Sequence, residues 1–427
     1  MKEMKERTKT AVLAAVGDEL LSGLRNEGNC AFLARLLHDE GWTVERVEIV
    51  PDDPARVADV LSRWVGKVDL LVMSGGLGPT HDDRTRCALA EFLGCGLAVD
   101  NALYDRVAAR YRGTEREALV ERSRSVQGLV PEAAQGVYNP AGSALGVRFE
   151  RSGTRVWSFP GVPFEFEAMT RQELTPLLTR GRDASYAWDS AAVAGVPESV
   201  LVERVPDIIA DSRLRISVLP SFGLVEFVVR GERALVGASM KTLRARLPDD
   251  VLPEGCTTLP QAILKTGLEK GLTLSCAESC TGGMAGAALT DVPGSSGVFM
   301  GSAVVYSNEA KEKLLGVERS VLEKRGAVSG ECAEAMARGA LALYGTSIAV
   351  AVTGIAGPGG GAPDSENPEK SVGTVWFAVA SRTGGGIENE RIECRSFVRR
   401  LGEERALVRE RAVRTALTAA WRQMKEM

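Results

Sequence analysis

Apolar residues along this chain come as short solid runs alternating with amphipathic stretches. Thr10 to Val16 (TAVLAAV) is an uninterrupted apolar run of strand length and reads as a buried strand. Phe32, Leu33, Leu36 and Leu37 then recur at helical spacing within Asn29 to Leu37, and Gly41 ends that helix. Trp42 to Val50 is a second strand. Pro51 to Trp64 is a helix with Val57, Val60, Leu61 and Trp64 on one face, and Asp69 to Met73 is a third strand. This alternation predicts a mainly parallel, doubly wound sheet that binds ligands at the carboxyl ends of its strands.

Further along, Leu103 to Val126 is helical and rich in arginine (Arg106, Arg110, Arg112, Arg116, Arg122, Arg124). It reads as a solvated face, or as a set of guanidinium groups for a pyrophosphate. From Arg180 the pattern changes. Trp188 to Val196, Leu214 to Leu219 and Leu224 to Arg230 read as strands and Ser199 to Ile208 as a helix, with a linker over Leu247 to Thr258. The last part resumes alternation. Gln261 to Lys270, Met284 to Leu289, Ser320 to Lys324 and Glu331 to Tyr344 are helices, the last capped by Ser329. Leu272 to Cys276, Val298 to Val305 and Ser347 to Val352 are strands. The expected fold class is α/β and multidomain, with units at 8–175, 180–253 and 260–427. Gly359 to Lys370, rich in Gly, Pro, Asp and Glu, reads as a mobile loop.

A length of 427 residues is too long for one ordinary domain. A net charge of −4 offers no global basic field, so direct nucleic-acid binding is not expected. No apolar stretch is long enough for a bilayer, and the charged N-terminus does not read as an export signal. The eight scattered cysteines therefore read as reduced thiols of a cytoplasmic protein.

Two loops carry candidate chemistry. Ala277-Glu278-Ser279-Cys280-Thr281-Gly282-Gly283 places a hydroxyl between a strand and a helix N-terminus, where free amides favour an anion. The two histidines, His38 and His81, lie far upstream, so the remaining activator for Ser279 is a lysine held neutral, and Lys311 in the Tyr306–Lys311 cluster is the candidate. The alternatives are a capped helix with a solvated lysine, or Cys280 as nucleophile. The second loop is Ser74 to Asp83 (SGGLGPTHDD). Its glycines could offer amides to phosphates and Asp82 and Asp83 could hold a hard divalent ion, or the loop is a plain glycine turn before a helix.

The motifs as a set add more. AESCTGG, LTDVPGSS, YSNEAK, LLGV, GAVS and TGIAGP resemble the C-terminal domain of the CinA family, which is similar to stand-alone nicotinamide mononucleotide deamidases. GDELLSG, SGGLGPTHDDRT and FPGVPFE resemble that family's N-terminal domain, similar to molybdopterin-binding proteins; 180–253 resembles its KH-like middle domain, without a GXXG clamp. The resemblance implies hydrolysis of nicotinamide mononucleotide to nicotinate mononucleotide and ammonia. Ser279 is then nucleophile and Lys311 base, supported by Tyr306 and Thr353. Thr281, Gly282, Gly283, Asn308, Gly354 and Arg405 would contact substrate, and no cofactor is needed. It also implies a second, metal-dependent ADP-ribose pyrophosphatase. Asn29, Gly75, Gly76, Gly78, Thr80 and Glu165 would contact ligand, and Asp18, Asp82 and Asp83 would hold magnesium, manganese or cobalt. A homodimer is expected by resemblance. The rival is a non-catalytic nucleotide- or pterin-binding protein of competence or DNA repair.

This chain departs from the family pattern at Glu27-Gly28, at Leu145 where a proline is usual, at Ser371, and before Arg405, where Gly402-Glu403-Glu404 replaces a Gly-Asp pair. Those in the N-terminal part bear on activity there more than on fold.

Overall fold

The computed structural model describes residues 9–178, 185–221, 223–361, 370–383 and 391–427. Most of the Gly359–Lys370 loop falls outside them. The chain divides into two compact units, Met1–Tyr186 and Ala187–Met427.

In the first unit, β1 (Thr10–Val16), β2 (Thr43–Val50), β3 (Leu70–Ser74) and β8 (Thr154–Phe159) are parallel. The strands β6 (Gln135–Val137) and β7 (Gly146–Arg151) complete a six-stranded sheet antiparallel, in the order β2-β1-β3-β8-β7-β6. A short pair, β4 (Leu97–Val99) and β5 (Leu129–Pro131), stands apart. β1 is central because it is apolar on both faces: Ala11, Leu13 and Ala15 pack with the Asn29–Asp39 helix, while Val12, Ala14 and Val16 pack against the Pro54–Trp64 helix. The chain order reverses between β1 and β3, and the glycine loop leaves β3 there. That is where an open α/β sheet leaves a crevice.

The second unit opens with β9 (Tyr186–Ala194), β10 (Arg215–Ser221) and β11 (Leu224–Glu232), ordered β10-β11-β9. The expected single helix over Ser199 to Ile208 is two, Glu198–Arg204 and Pro206–Ala210, because Pro206 has no N–H to continue the first. The Arg233–Arg246 helix had not been expected. Its signal is legible in retrospect as buried Val236, Met240 and Leu243 at helical spacing among polar residues. Likewise the arginine-rich segment of the first unit is two helices, Asn101–Ala109 and Glu117–Gln127, parted around Gly113 at φ 74°.

A five-stranded sheet follows in the order β13-β12-β14-β15-β16. Here β12 is Leu274–Glu278, β13 Phe299–Val304, β14 Ile348–Gly354, β15 Thr374–Thr383 and β16 Arg391–Arg400. The first three are parallel and the last two antiparallel. Helices Leu259–Lys270, Met284–Thr290 and Arg405–Glu426 cover one face, and Asn308–Leu315, Arg319–Lys324 and Gly330–Tyr344 the other. Ser307 and Ser329 cap two of these through hydrogen bonds from the Ala310 and Cys332 amides. Since β13 and β14 lie on opposite sides of β12, the chain crosses back over it and its end is a second switch point.

Candidate active site

Strand periodicity sorts the end of β12. Leu274 and Cys276 face the Leu259–Lys270 side and Ala277 the opposite one, so Glu278 falls on the face carrying the Met284–Thr290 helix. Ser279 follows immediately. Gly282 and Gly283, at φ 61° and 95°, supply the left-handed backbone that turns the chain into that helix.

Lys311 enters from the first turn of the Asn308–Leu315 helix, and only 1% of it is exposed. Its Nζ lies 3.2 Å from Ser279 Oγ, 2.8 Å from the Val305 carbonyl and 3.2 Å from the Tyr306 carbonyl. Burial holds the ammonium's pKa below that of a free lysine. A neutral amine has two hydrogens and one lone pair. With both hydrogens on the carbonyls, the lone pair is left for the Ser279 hydroxyl. Cys280 is buried, and burial pushes its thiol up to about 11, which argues against a thiolate nucleophile.

The other expected residues take varied places. Tyr306 gives its carbonyl to Lys311, while its ring is 65% exposed and its hydroxyl lies 3.5 Å from Arg405. Thr353 is buried and donates to the Ala327 carbonyl at 2.7 Å, so it fixes the turn before Ser329 and not the dyad itself. Thr281 is fully buried with a hydroxyl that has no partner. Asn308 is exposed at the start of its helix, and Gly354 packs too tightly against Val375 for a side chain. Arg405 donates to the Gly357 carbonyl at 2.7 Å and has no carboxylate partner among the described residues.

Two further residues hold the turn: Arg409, which its spacing sets beside Arg405 at i, i+4 on one helix face, and Glu278, which was not foreseen. Arg409 donates to the Cys280 carbonyl at 3.1 Å and the Thr281 carbonyl at 3.0 Å. Glu278, fully buried, accepts from the amides of Gly283, Ala285 and Gly286 and from the Ser302 hydroxyl. The Gly283 amide is therefore engaged, and that of Gly282 bonds to the Ser279 carbonyl. Among the described residues no carbonyl accepts from the Cys280 or Thr281 amide, and the Cys280 amide reaches only its own thiol. A carboxylate just before a small-residue helix was the available sequence signal for Glu278.

In the first unit, a cavity of about 390 Å³ is lined by Gly75, Gly76, Gly78, Thr80, Asp82, Asp83 and Glu165, and also by Glu19, Arg25 and Asp52. Asn29 is not in its wall; it braces the loops behind, donating to Ser74 Oγ and the Gly161 carbonyl. The expected metal trio does not converge. Asp83 accepts from the amide and hydroxyl of Thr80, Asp82 faces His81, and Asp18 lies outside the lining. No three His, Cys, Asp or Glu among the described residues are gathered to hold a metal. Asp52 instead is pushed up by burial and by Asp18, Glu19 and Asp83. Glu165 is likewise pushed up by burial and accepts from Asn139 at 2.6 Å. Arg86 is the unforeseen residue here. Buried, it donates to the carbonyls of Leu77, Gln127, Leu129 and Leu145, and burial lowers it to about 10. Arg110, of the arginine-rich segment, bonds to the Asn139 and Gly142 carbonyls.

Fold and site thus define a protein of two α/β units, with a serine–lysine pair at a switch point in one and a glycine-lined acidic cavity in the other. Comparison with known proteins finds a separate family match in each unit. The family model described as "CinA C-terminal domain" matches residues 256–424, and that described as "Probable molybdopterin binding domain" matches 12–180. A CinA-like protein of Chlorobium luteolum is 39% identical over 392 residues, spanning 88% of each chain. One of Chlorobaculum tepidum is 37% identical over 91% of this chain and 93% of its own. Among solved structures, a competence/damage inducible protein of Agrobacterium tumefaciens is 42% identical over 38% of this chain and 90% of its own, with a TM-score of 0.34. The chain belongs to the CinA family of competence/damage-inducible proteins. No helix among the described residues is long and apolar enough to cross a membrane.

Proposed function

We propose that the second unit is a nicotinamide-nucleotide amidase, converting nicotinamide mononucleotide and water to nicotinate mononucleotide and ammonia. The observation that carries this reading is the buried Lys311 Nζ, 3.2 Å from Ser279 Oγ with two carbonyls to occupy its hydrogens. Lys311 takes the Ser279 proton as Oγ attacks the carboxamide carbon. The carbonyl electron pair moves onto oxygen, where the Cys280 and Thr281 amides, given to no carbonyl among the described residues, are suited to receive it. Collapse breaks the C–N bond, and Lys311 returns the proton to the departing nitrogen, releasing ammonia. Lys311 then deprotonates water, which attacks the acyl-serine; the ester C–O bond breaks and Ser279 regains its proton. Arg405, without an acidic partner among the described residues, is suited to the substrate phosphate.

The test is ammonia release from nicotinamide mononucleotide by wild type, Ser279→Ala and Lys311→Ala. Chelator-resistant release lost in both variants supports the amidase; none from a folded wild type overturns it in favour of a binding protein.

For the first unit the reading is a metal-assisted ADP-ribose pyrophosphatase. The presence of Glu19, Asp52 and Asp83 in the wall of one cavity favours it, since a divalent cation would offset their like charges. With no three such groups gathered among the described residues, a magnesium-like ion would be held by only one or two carboxylates of the cavity wall and completed by ligand phosphates. Such an ion would supply charge neutralisation at the phosphates. The chain's own part is to offer the Gly75–Gly78 backbone and to keep the loops in place through Arg86 and Asn29. AMP release from ADP-ribose, dependent on added metal, tests it.

A further inference from the structure

Helix N-termini are natural anion sites, and the Met284–Thr290 helix stands directly after the nucleophile. In this chain that terminus is already filled. Glu278 Oε2 receives the amides of Gly283 and Ala285, each at 3.0 Å. Its Oε1 receives the amide of Gly286 at 2.9 Å and the hydroxyl of Ser302 at 2.8 Å. No Lys or Arg side chain hydrogen-bonds or ion-pairs with this carboxyl among the described residues. Three amide donors and one hydroxyl suit a carboxylate, and they tie β12, β13 and the helix to one point.

We infer that Glu278 is a positioning residue for the acyl-transfer step: by occupying the helix terminus it fixes the Ser279–Gly283 turn so that the Cys280 and Thr281 amides stay free to receive the oxyanion. Arg409 works from the other side. It holds the Cys280 and Thr281 carbonyls, and a trans peptide points the Thr281 N–H opposite to the Cys280 carbonyl, away from the guanidinium. The turn is thus pinned by its carbonyls at one end and by the following amides at the other. The two N–H groups between, next to Ser279, are given to no carbonyl among the described residues. A glutamine at 278 cannot reproduce this. Its NH₂ must face either Gly283 and Ala285 or Gly286, donor against donor, and the turn must shift. The inference rests on the serine–lysine reading but not on the substrate.

The test uses the full chain and two probes: nicotinamide mononucleotide for turnover, and a fluorophosphonate that labels activated serine and needs the same oxyanion contacts. Glu278→Gln is expected to lower both kcat and the Ser279 labelling rate by about tenfold or more, with KM within about twofold. The rising limb of the pH profile stays in place, because Lys311 is untouched. Ser302→Ala, which removes one donor of four, is expected to lower labelling by a smaller factor without loss of fold. A folded Glu278→Gln chain that labels and turns over like wild type overturns the inference, as does a loss confined to KM. If Glu278→Gln does not fold, wild-type labelling in a folded Ser302→Ala chain overturns it. Wild type that labels at Ser279 yet releases no ammonia sinks the amidase reading alone, and the labelling ratio still decides the role of Glu278.

Discussion

At the scale of single residues, each of the two sites depends on what burial does to one basic side chain. Lys311 is lowered by desolvation, so its active form gains as pH rises. The rate of ammonia release is expected to climb with pH along a limb centred below the roughly 10.4 of a free lysine and to level off above it. Lys311→Met is expected to abolish that limb and lower kcat by about 10²–10⁴-fold, measured as a pH–rate profile. Arg86 faces the other problem. It stays charged but buried, satisfied by four carbonyls and no carboxylate hydrogen bond. Arg86→Met strands those carbonyls and is expected to destabilise the first unit by about 3 kcal/mol, read by denaturant unfolding, with ammonia release preserved. In sequence a strand-end serine without a histidine made Lys311 a candidate, and the likeness of AESCTGG and YSNEAK to the family motifs singled it out. The backbone partners of Arg409 and Glu278 could not be read there, since a sequence does not say which carbonyls and amides are left over after folding.

Among elements, the placement of Lys311 is set by how closely two helices approach. A methyl group at Gly339 would fall inside the Leu315 carbonyl, so the Gly330–Tyr344 helix can lie against the end of the Lys311 helix only with glycine there. Gly339→Ala is expected to cost about 2 kcal/mol by thermal melting and to lower kcat as Lys311 is displaced from Ser279. Ser329→Ala, which removes a cap of the same helix, should cost about 1 kcal/mol with much less effect on rate. Strands and most helices of both sheets could be read from apolar periodicity, as β1 shows to the residue. What escaped were breaks imposed by backbone, at Pro206 and around Gly113, and a helix whose apolar stripe, Val236, Met240 and Leu243, is thin.

For the whole molecule, the two candidate sites lie in separate compact units, and nothing in the proposed amidase chemistry draws on the first. Asp83→Asn is expected to abolish metal-dependent ADP-ribose hydrolysis and to leave ammonia release within about twofold, each assayed on the same preparation. The segment 187–253 belongs elsewhere. Ala192, Ala194 and Leu252 lie in the same core cluster as Trp421 and Met424, and Arg422 and Lys425 bond to Asp250 and Pro248. That shared core has a practical meaning for dissecting the chain. The family match at 256 invites a cut there, yet such a cut would strip part of the wall from the Arg405–Glu426 helix, the same rod whose first turns hold Arg405 and Arg409 at the nucleophile. The natural place for scissors is upstream, near 187, where a fragment keeps its own lining.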